Sequence, residues 1–245
     1  MIKVMSMKKF YKIVILFVLI FLNIDLIAQT PQYSFANGTT GSNSIPWGGG
    51  SWADQRNQWF WAPGDFGNTI YNGLITKIYF KAGTIGNATT WTNLKISLGQ
   101  PNITGLTTAW ETGLTQVYFS ASHYQAAVSV DQWFSITLQT PFLFDPTKPL
   151  VMETIQTGTS GGIALRAGGT PINPSYSGNT QTYGASSASS GTTRRYSYAL
   201  GLDLMPASGF DLAMSAIKSP AVFNVGNNYL TVTVQNKRVD TIKWF

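Results

Sequence analysis

The sequence predicts an all-β fold: an antiparallel β-sandwich or jelly-roll-like domain, followed by an incomplete immunoglobulin-like β-sandwich. Three observations carry that expectation. Only 11% of the 245 residues are charged, too few for long solvated helices with salt-bridged faces. Period-two alternation of apolar and polar residues recurs throughout the chain after residue 28. Gly, Pro, Asn and Asp punctuate the alternating runs at short intervals, as turns between strands require.

Residues 1–28 read as a secretory signal peptide. Lys3, Lys8, Lys9 and Lys12 make a basic start. The apolar run from Phe10 to Leu22 is broken at once by Asn23 and Asp25. Its uninterrupted part, Ile13 to Leu22, is shorter than the roughly 20 apolar residues of a membrane-spanning helix. Leu26-Ile27-Ala28 offers a small residue for cleavage between Ala28 and Gln29. The alternative is an uncleaved anchor helix. The processed chain is expected to hold no transmembrane segment and to be secreted or held at the cell surface.

The domain predicted over 29–206 is built from strands. In Leu74–Ala82, one face carries Leu74, Ile78, Phe80 and Ala82, and the other Lys77, Tyr79 and Lys81. Leu94, Ile96 and Leu98 alternate with Lys95 and Ser97; Phe134, Ile136 and Leu138 alternate with Ser135 and Thr137; Tyr198, Leu200, Leu202 and Leu204 form another series. Gln116–Ser120, Leu150–Gln156 and Gly162–Ala167 are further strand-like runs. The stretch 168–195, rich in Gly, Ser, Thr and Asn, is predicted as a long polar loop, because such a composition buries little apolar surface. Met205-Pro206-Ala207-Ser208-Gly209 reads as a linker, and 207–245 as the start of a second module.

Charge and chemistry exclude several functions. The formal charge is +6. Setting aside Lys3, Lys8, Lys9, Lys12 and Asp25 from the 16 basic and 10 acidic residues leaves 12 and 9. The remaining bases are scattered, with Arg194-Arg195 and Lys237-Arg238 the only adjacent pairs, so no basic stripe for a nucleic acid exists. There is no cysteine, which removes disulfides, thiolate metal sites and cysteine nucleophiles. His123 is the single histidine; it cannot build a multi-histidine metal site, and no Gly-x-Ser-x-Gly elbow accompanies it. Beside Tyr124, in what reads as a polar loop, it is expected to be solvated. No cofactor is expected; structural calcium on Asp54 and Asp65 is the one alternative, without an Asp-x-Asp-x-Asp loop to support it.

The strongest local feature is aromatic. Trp47, Trp52, Trp59 and Trp61 fall within 15 residues, among Gly, Asn and Gln. Exposed indoles stack on sugar rings while nearby amides bind hydroxyls, so these four tryptophans are the candidate glycan-binding residues. The competing reading is packing: Trp59 and Trp61 share one strand face, and Trp91, Trp110 and Trp133 look like core or strand ends. Seven acidic residues (Asp54, Asp65, Glu111, Asp131, Asp145, Glu153 and Asp203) offer carboxylate pairs for glycoside hydrolysis, with no pair singled out and Asp145 reading as a turn residue before Pro146.

Two resemblances add to this reading. Gln58-Trp59-Phe60-Trp61, Gly73–Phe80, Leu94–Gly99, Trp110–Tyr118, Trp133–Leu138, Thr140–Asp145 and Leu150–Glu153 follow one another in an order that resembles the N-terminal β-sandwich domain of proteins exported by the bacterial type IX secretion system. The resemblance spans about a hundred residues, from Asn57 to about Gln156, and implies successive strands and no catalytic residues. Asp211–Ile217, Ser219-Pro220, Gly226-Asn227-Asn228 and Leu230–Asn236 resemble the opening of a CARDB module, an immunoglobulin-like domain of bacterial cell adhesion. Arg238 stands where that family usually has Gly, and the sequence ends at Phe245, short of the roughly 100 residues such a sandwich needs. The expectation is therefore a non-enzymatic secreted or cell-surface protein for adhesion or module presentation, with extracellular glycans or surface proteins as partners. The alternatives are a carbohydrate-binding module using the aromatic region 47–61, and a glycan-active enzyme with an unrecognised carboxylate pair.

Overall fold

β-branched and aromatic residues fill the alternating runs, and each run becomes a strand. The computed structural model describes residues 30–35, 41–43, 47–48, 53–84, 86–168, 178–207, 212–218 and 231–236. Ala28 and Gln29, with the rest of the leader, lie outside the described residues, as does Trp52. Among the described residues every element is a strand: β1 (Tyr33–Phe35), β2 (Gly41–Asn43), β3 (Gln55–Trp61), β4 (Gly73–Lys81), β5 (Thr89–Gly99), β6 (Thr115–Gln125), β7 (Trp133–Phe144), β8 (Leu150–Gln156), β9 (Gly158–Thr159), β10 (Leu165–Gly168), β11 (Gln181–Gly184), β12 (Thr192–Arg194), β13 (Ser197–Tyr198), β14 (Leu200–Pro206), β15 (Leu212–Lys218) and β16 (Thr231–Asn236). No helix among them is long and apolar enough to cross a membrane.

The all-β expectation holds, and the antiparallel sheets pack face to face as a sandwich. One sheet runs β1-β14-β4-β7 and the other β12-β11-β3-β8-β5-β6, with β9 paired to β5. A small third sheet, β13-β10-β2, accompanies them. Tyr33 pairs with Leu202, so the first described strand is joined to the last one before the linker. The inward residues are those of the regular alternations: Leu94, Ile96 and Leu98 from β5, Phe134, Ile136 and Leu138 from β7, and Tyr198, Leu200, Leu202 and Leu204 from β13 and β14. Beyond the linker, β15 and β16 pair antiparallel, with Met214 opposite Val234 and Ile217 opposite Val232.

One strand departs from its predicted face. Across β14, Lys77 pairs with Asp203 and Ile75 with Leu204, which leaves Thr76 unpaired in a bulge. The bulge reverses the alternation, so Ile75 joins Ile78 and Phe80 in the core while Leu74 is only half-buried. The predicted face of Leu74, Ile78, Phe80 and Ala82 is thus corrected at its first member.

The predicted polar loop 168–195 is corrected as well. Residues 169–177 lie outside the described residues, but 178–195 contains the β11–β12 hairpin on the edge of the large sheet. Thr180, Gln181 and Thr182 are buried there. Pairing with β3 satisfies their backbone groups, and the guanidinium of Arg194 lies 4.5 Å from the ring centre of Tyr183. Composition measured the lack of apolar surface; it could not register a ladder that needs none.

Glutamine side chains tie the loops to the sheets. Gln58 Nε2 donates to the Glu111 carbonyl and its Oε1 accepts from the Glu111 N–H, both at 2.8 Å. Gln100 does the same to Asp145 at 2.7 and 2.9 Å. Each amide presents one donor and one acceptor, as a neighbouring strand would. The loop from Pro101 to Leu114 is thereby held over the outer face of β3 and β8, where Phe60, Leu106 and Val151 form a second, smaller apolar cluster.

Candidate functional site

Three of the four candidate tryptophans are core. Trp47 is fully buried, with its ring centre 4.6 Å from that of Trp91 and 5.0 Å from that of Phe80. Trp59 packs on Tyr198 at 5.2 Å, and the Trp61 indole N–H donates to the Tyr198 carbonyl at 3.3 Å. Trp59 and Trp61 are each 2% exposed. None of the three presents a face to a sugar, so the glycan platform expected on Trp47, Trp59 and Trp61 is corrected: β3 turns that face inward. Burying each such ring contributes about 1.5–3 kcal/mol, and the tilted and edge-on contacts among them add about 0.5–1.5 kcal/mol per pair.

His123 is not a solvated loop residue. It lies on β6, directly opposite Trp91, with its ring stacked on that indole at 5.6 Å between centres. Its Nδ1 is 2.7 Å from the Tyr118 hydroxyl. Burial pushes its pKa below the ordinary imidazole value. The neutral ring serves as the lid of the aromatic cluster formed by Trp47, Trp91 and Phe134.

The carboxylates are distributed through the scaffold. Asp65 accepts from the Ala62 N–H, Asp54 from the Ser186 N–H, and Asp145 from Thr147, as its turn role requires. Asp131 takes a two-pronged ion pair from Arg166, whose hydrogen bonds hold its carboxyl below the usual range. Asp203 accepts from Tyr79 at 2.6 Å, and burial followed by that bond raises the phenol's pKa. Glu153 is the most buried acid: Arg56 reaches it with Nε at 2.6 Å and a second nitrogen at 2.5 Å, Gln58 donates at 2.8 Å, and Lys95 lies 3.8 Å away. The Arg56 guanidinium in turn lies 4.5 Å from the Trp110 ring centre. Asp54 and Asp65, the calcium candidates, serve different loops, and among the described residues no three acidic or histidine side chains converge.

The outward face of β5 and β6 carries two exposed aromatic residues. Asn93 has φ +51°, a left-handed conformation inside β5. Trp91 and Leu94 flank it, and both point into the core, so the alternation reverses between them. On β6 the same reversal brings Tyr118 and His123, five residues apart, into contact. Their neighbours Phe119 and Tyr124, also five apart, consequently share the opposite, outward face. Phe119 pairs with Lys95 and Tyr124 with Thr90. Phe119 is 43% and Tyr124 67% exposed. Thr92, Asn93 and Ser122 lie exposed between them, and Ser160 bonds the Thr90 N–H at the near edge.

Sequence reasoning missed this surface because two residues five apart fall on opposite faces of an ideal strand. The signal was present on the facing strand: the core spacing Trp91, Leu94 is odd where an unbroken alternation is even. A scan of the chain against protein-family models matched none, and no curated protein matches it.

Proposed function

We propose that this chain is an exported, non-enzymatic surface protein whose β-sandwich serves adhesion or presents neighbouring modules. The observation that carries this reading is the use made of its reactive groups. The one histidine is stacked in the aromatic core, and Asp54, Asp65, Asp131, Asp145, Glu153 and Asp203 each hold a scaffold partner. Glu111 is fixed through its backbone by Gln58. A hydrolase of the two-carboxylate kind needs a pair of acids facing one substrate across about 5–9.5 Å. Ion pairs to Arg56, Arg166 and Lys148 give Glu153, Asp131 and Asp145 a part in cohesion, which supports the non-enzymatic reading.

Export rests on the leader, and the type IX and CARDB resemblances give it a bacterial cell-surface setting. Expression in a bacterial host, followed by N-terminal sequencing and protease treatment of intact cells, tests the location. The expected result is a chain starting at Gln29 and cleaved from outside. A chain that keeps Lys8 and Lys9 inside the cell overturns the export reading. Release of reducing sugar from any polysaccharide by the purified protein overturns the non-enzymatic reading.

A further inference from the structure

We infer that the outward face of β5 and β6, between Phe119 and Tyr124, binds an uncharged polysaccharide chain. This deepens the surface-adhesion reading and rests on it only in that the bound chain is left intact. The two residues stand five apart on β6, a backbone span of about 16 Å at a rise of about 3.3 Å per residue. That separation fits several linked sugars lying along the strand. Sugar rings present apolar C–H faces above and below and hydroxyls around the edge. Phe119 and Tyr124 offer apolar ring faces at the two ends. The exposed Thr92, Asn93 and Ser122 offer hydroxyl and amide groups between them.

The charge pattern selects the class of polymer. Lys95, opposite Phe119, is the one Lys, Arg, Asp or Glu on β5 and β6, and it lies 3.8 Å from the Glu153 carboxylate. A sulfated or phosphorylated chain would find no cluster of cations among the described residues of these two strands. The edge of β6 also disfavours an added peptide strand. At Phe119 both backbone groups are occupied by the Gln139 side chain, at 2.9 and 2.8 Å, so a strand from a partner loses its central ladder bonds. Stacking on a preformed sheet costs little ordering, which favours a ligand held by ring faces and hydroxyls.

The test uses the full chain in native gels cast with soluble uncharged polysaccharides (xylan, mixed-linkage β-glucan, starch, mannan) and with pectin and heparin as charged controls. At least one uncharged polymer should retard the protein, with no effect of added salt. Tyr124→Ala and Phe119→Ala should each weaken the retardation about tenfold or more, and the pair should abolish it. Leu143→Ala, an exposed apolar change on β7, should leave it unaltered. Thermal midpoints matching the parent chain show that the variants are folded. Retardation that survives the double variant, retardation confined to pectin or heparin and lost in salt, or no retardation by any uncharged polymer overturns the proposal. So does a concentration-dependent dimer that the same two substitutions dissolve, since the face would then be a contact between copies. Reducing-sugar release with retardation intact would instead remove the non-enzymatic reading and leave this face standing.

Discussion

The side-chain amide of Gln139 on β7 is hydrogen-bonded at both ends to the backbone of Phe119 on β6, accepting from its N–H at 2.9 Å and donating to its carbonyl at 2.8 Å. β6 and β7 are edge strands of different sheets, and open edges recruit other strands. The register explains why Gln139 is available. Ile75 pairs with Phe142 and Lys77 with Thr137, so Leu138–Pro141 leave the β4 ladder and can reach sideways. Gln139→Ala should lower stability by about 1 kcal/mol for two exposed bonds. Gln139→Glu should cost at least as much, because it deletes the donor and sets a negative charge beside a carbonyl. Urea midpoints measure both, and unchanged midpoints would mean that the clasp contributes nothing.

Glu153 is the corresponding tie on the outer face of the large sheet. Its side chain is 6% exposed, and Arg56, Gln58 and Lys95 all converge on it. Replacing Glu153 with Gln keeps the shape and leaves two cations without their anion. The expected loss is about 2–4 kcal/mol, below the full cost of an orphaned buried charge because Arg56 is partly solvated. Arg56→Met in the same chain should recover part of that loss. Equilibrium unfolding of the two single variants and the double gives the coupling directly. Additive effects would show that the guanidinium acts through its stacking on Trp110 alone.

What was legible in the sequence follows from the regularity of the backbone. Leu94, Ile96 and Leu98, and Leu200, Leu202 and Leu204, point inward as their alternation predicts, because the extra residue at each register shift, Val117 and Thr76, lies on the partner strand. Leu74 and Ile75 exchange places because Thr76 bulges, and Phe119 and Tyr124 share a face because Asn93 reverses the alternation. Both irregularities are set by one residue's backbone, which a hydropathy pattern does not encode. The tryptophan cluster was legible as aromatic density and not as exposure. Trp47 and Trp59 sit in Gly- and Asn-rich surroundings that suggest a surface, yet inter-sheet packing claims them. The β11–β12 hairpin was hidden for the opposite reason, since its Thr and Gln residues are buried by ladder pairing.

Asn93 is the residue on which the proposed face depends. At φ +51° an Asn is tolerated, a Gly is unstrained and a β-branched residue is not. Its amide also donates to the Thr157 hydroxyl at 3.0 Å. Asn93→Val should cost about 1–2 kcal/mol, whereas Asn93→Gly should cost only the exposed hydrogen bond, about 0.5 kcal/mol. Thermal midpoints of the two variants separate backbone strain from the lost bond. A Val variant as stable as the Gly variant would mean that β5 can regain a regular alternation at this point.

His123 should make the domain sensitive to mild acid. Burial lowers its folded pKa below the ordinary 6.5, so the folded chain holds the ring neutral where the unfolded chain would already protonate it. The sign follows. Above the unfolded value neither state carries the proton, and stability is fully present. As the pH falls through 6.5 toward the depressed folded value, the unfolded chain takes up the proton first and stability is lost. The groups around the ring sharpen the effect: Trp91 stacks on one face and the Tyr118 hydroxyl meets Nδ1, so no described carboxylate compensates the imidazolium. Carboxylates ordinarily titrate near pH 4, well below this window. Urea unfolding at roughly pH 7.5 and roughly pH 5 should therefore show a drop in the parent chain. His123→Phe keeps an aromatic ring on Trp91 and removes the titrating group, so its midpoint should change much less between the two conditions. A parallel drop in both proteins would assign the acid sensitivity to other groups and leave His123 as packing alone.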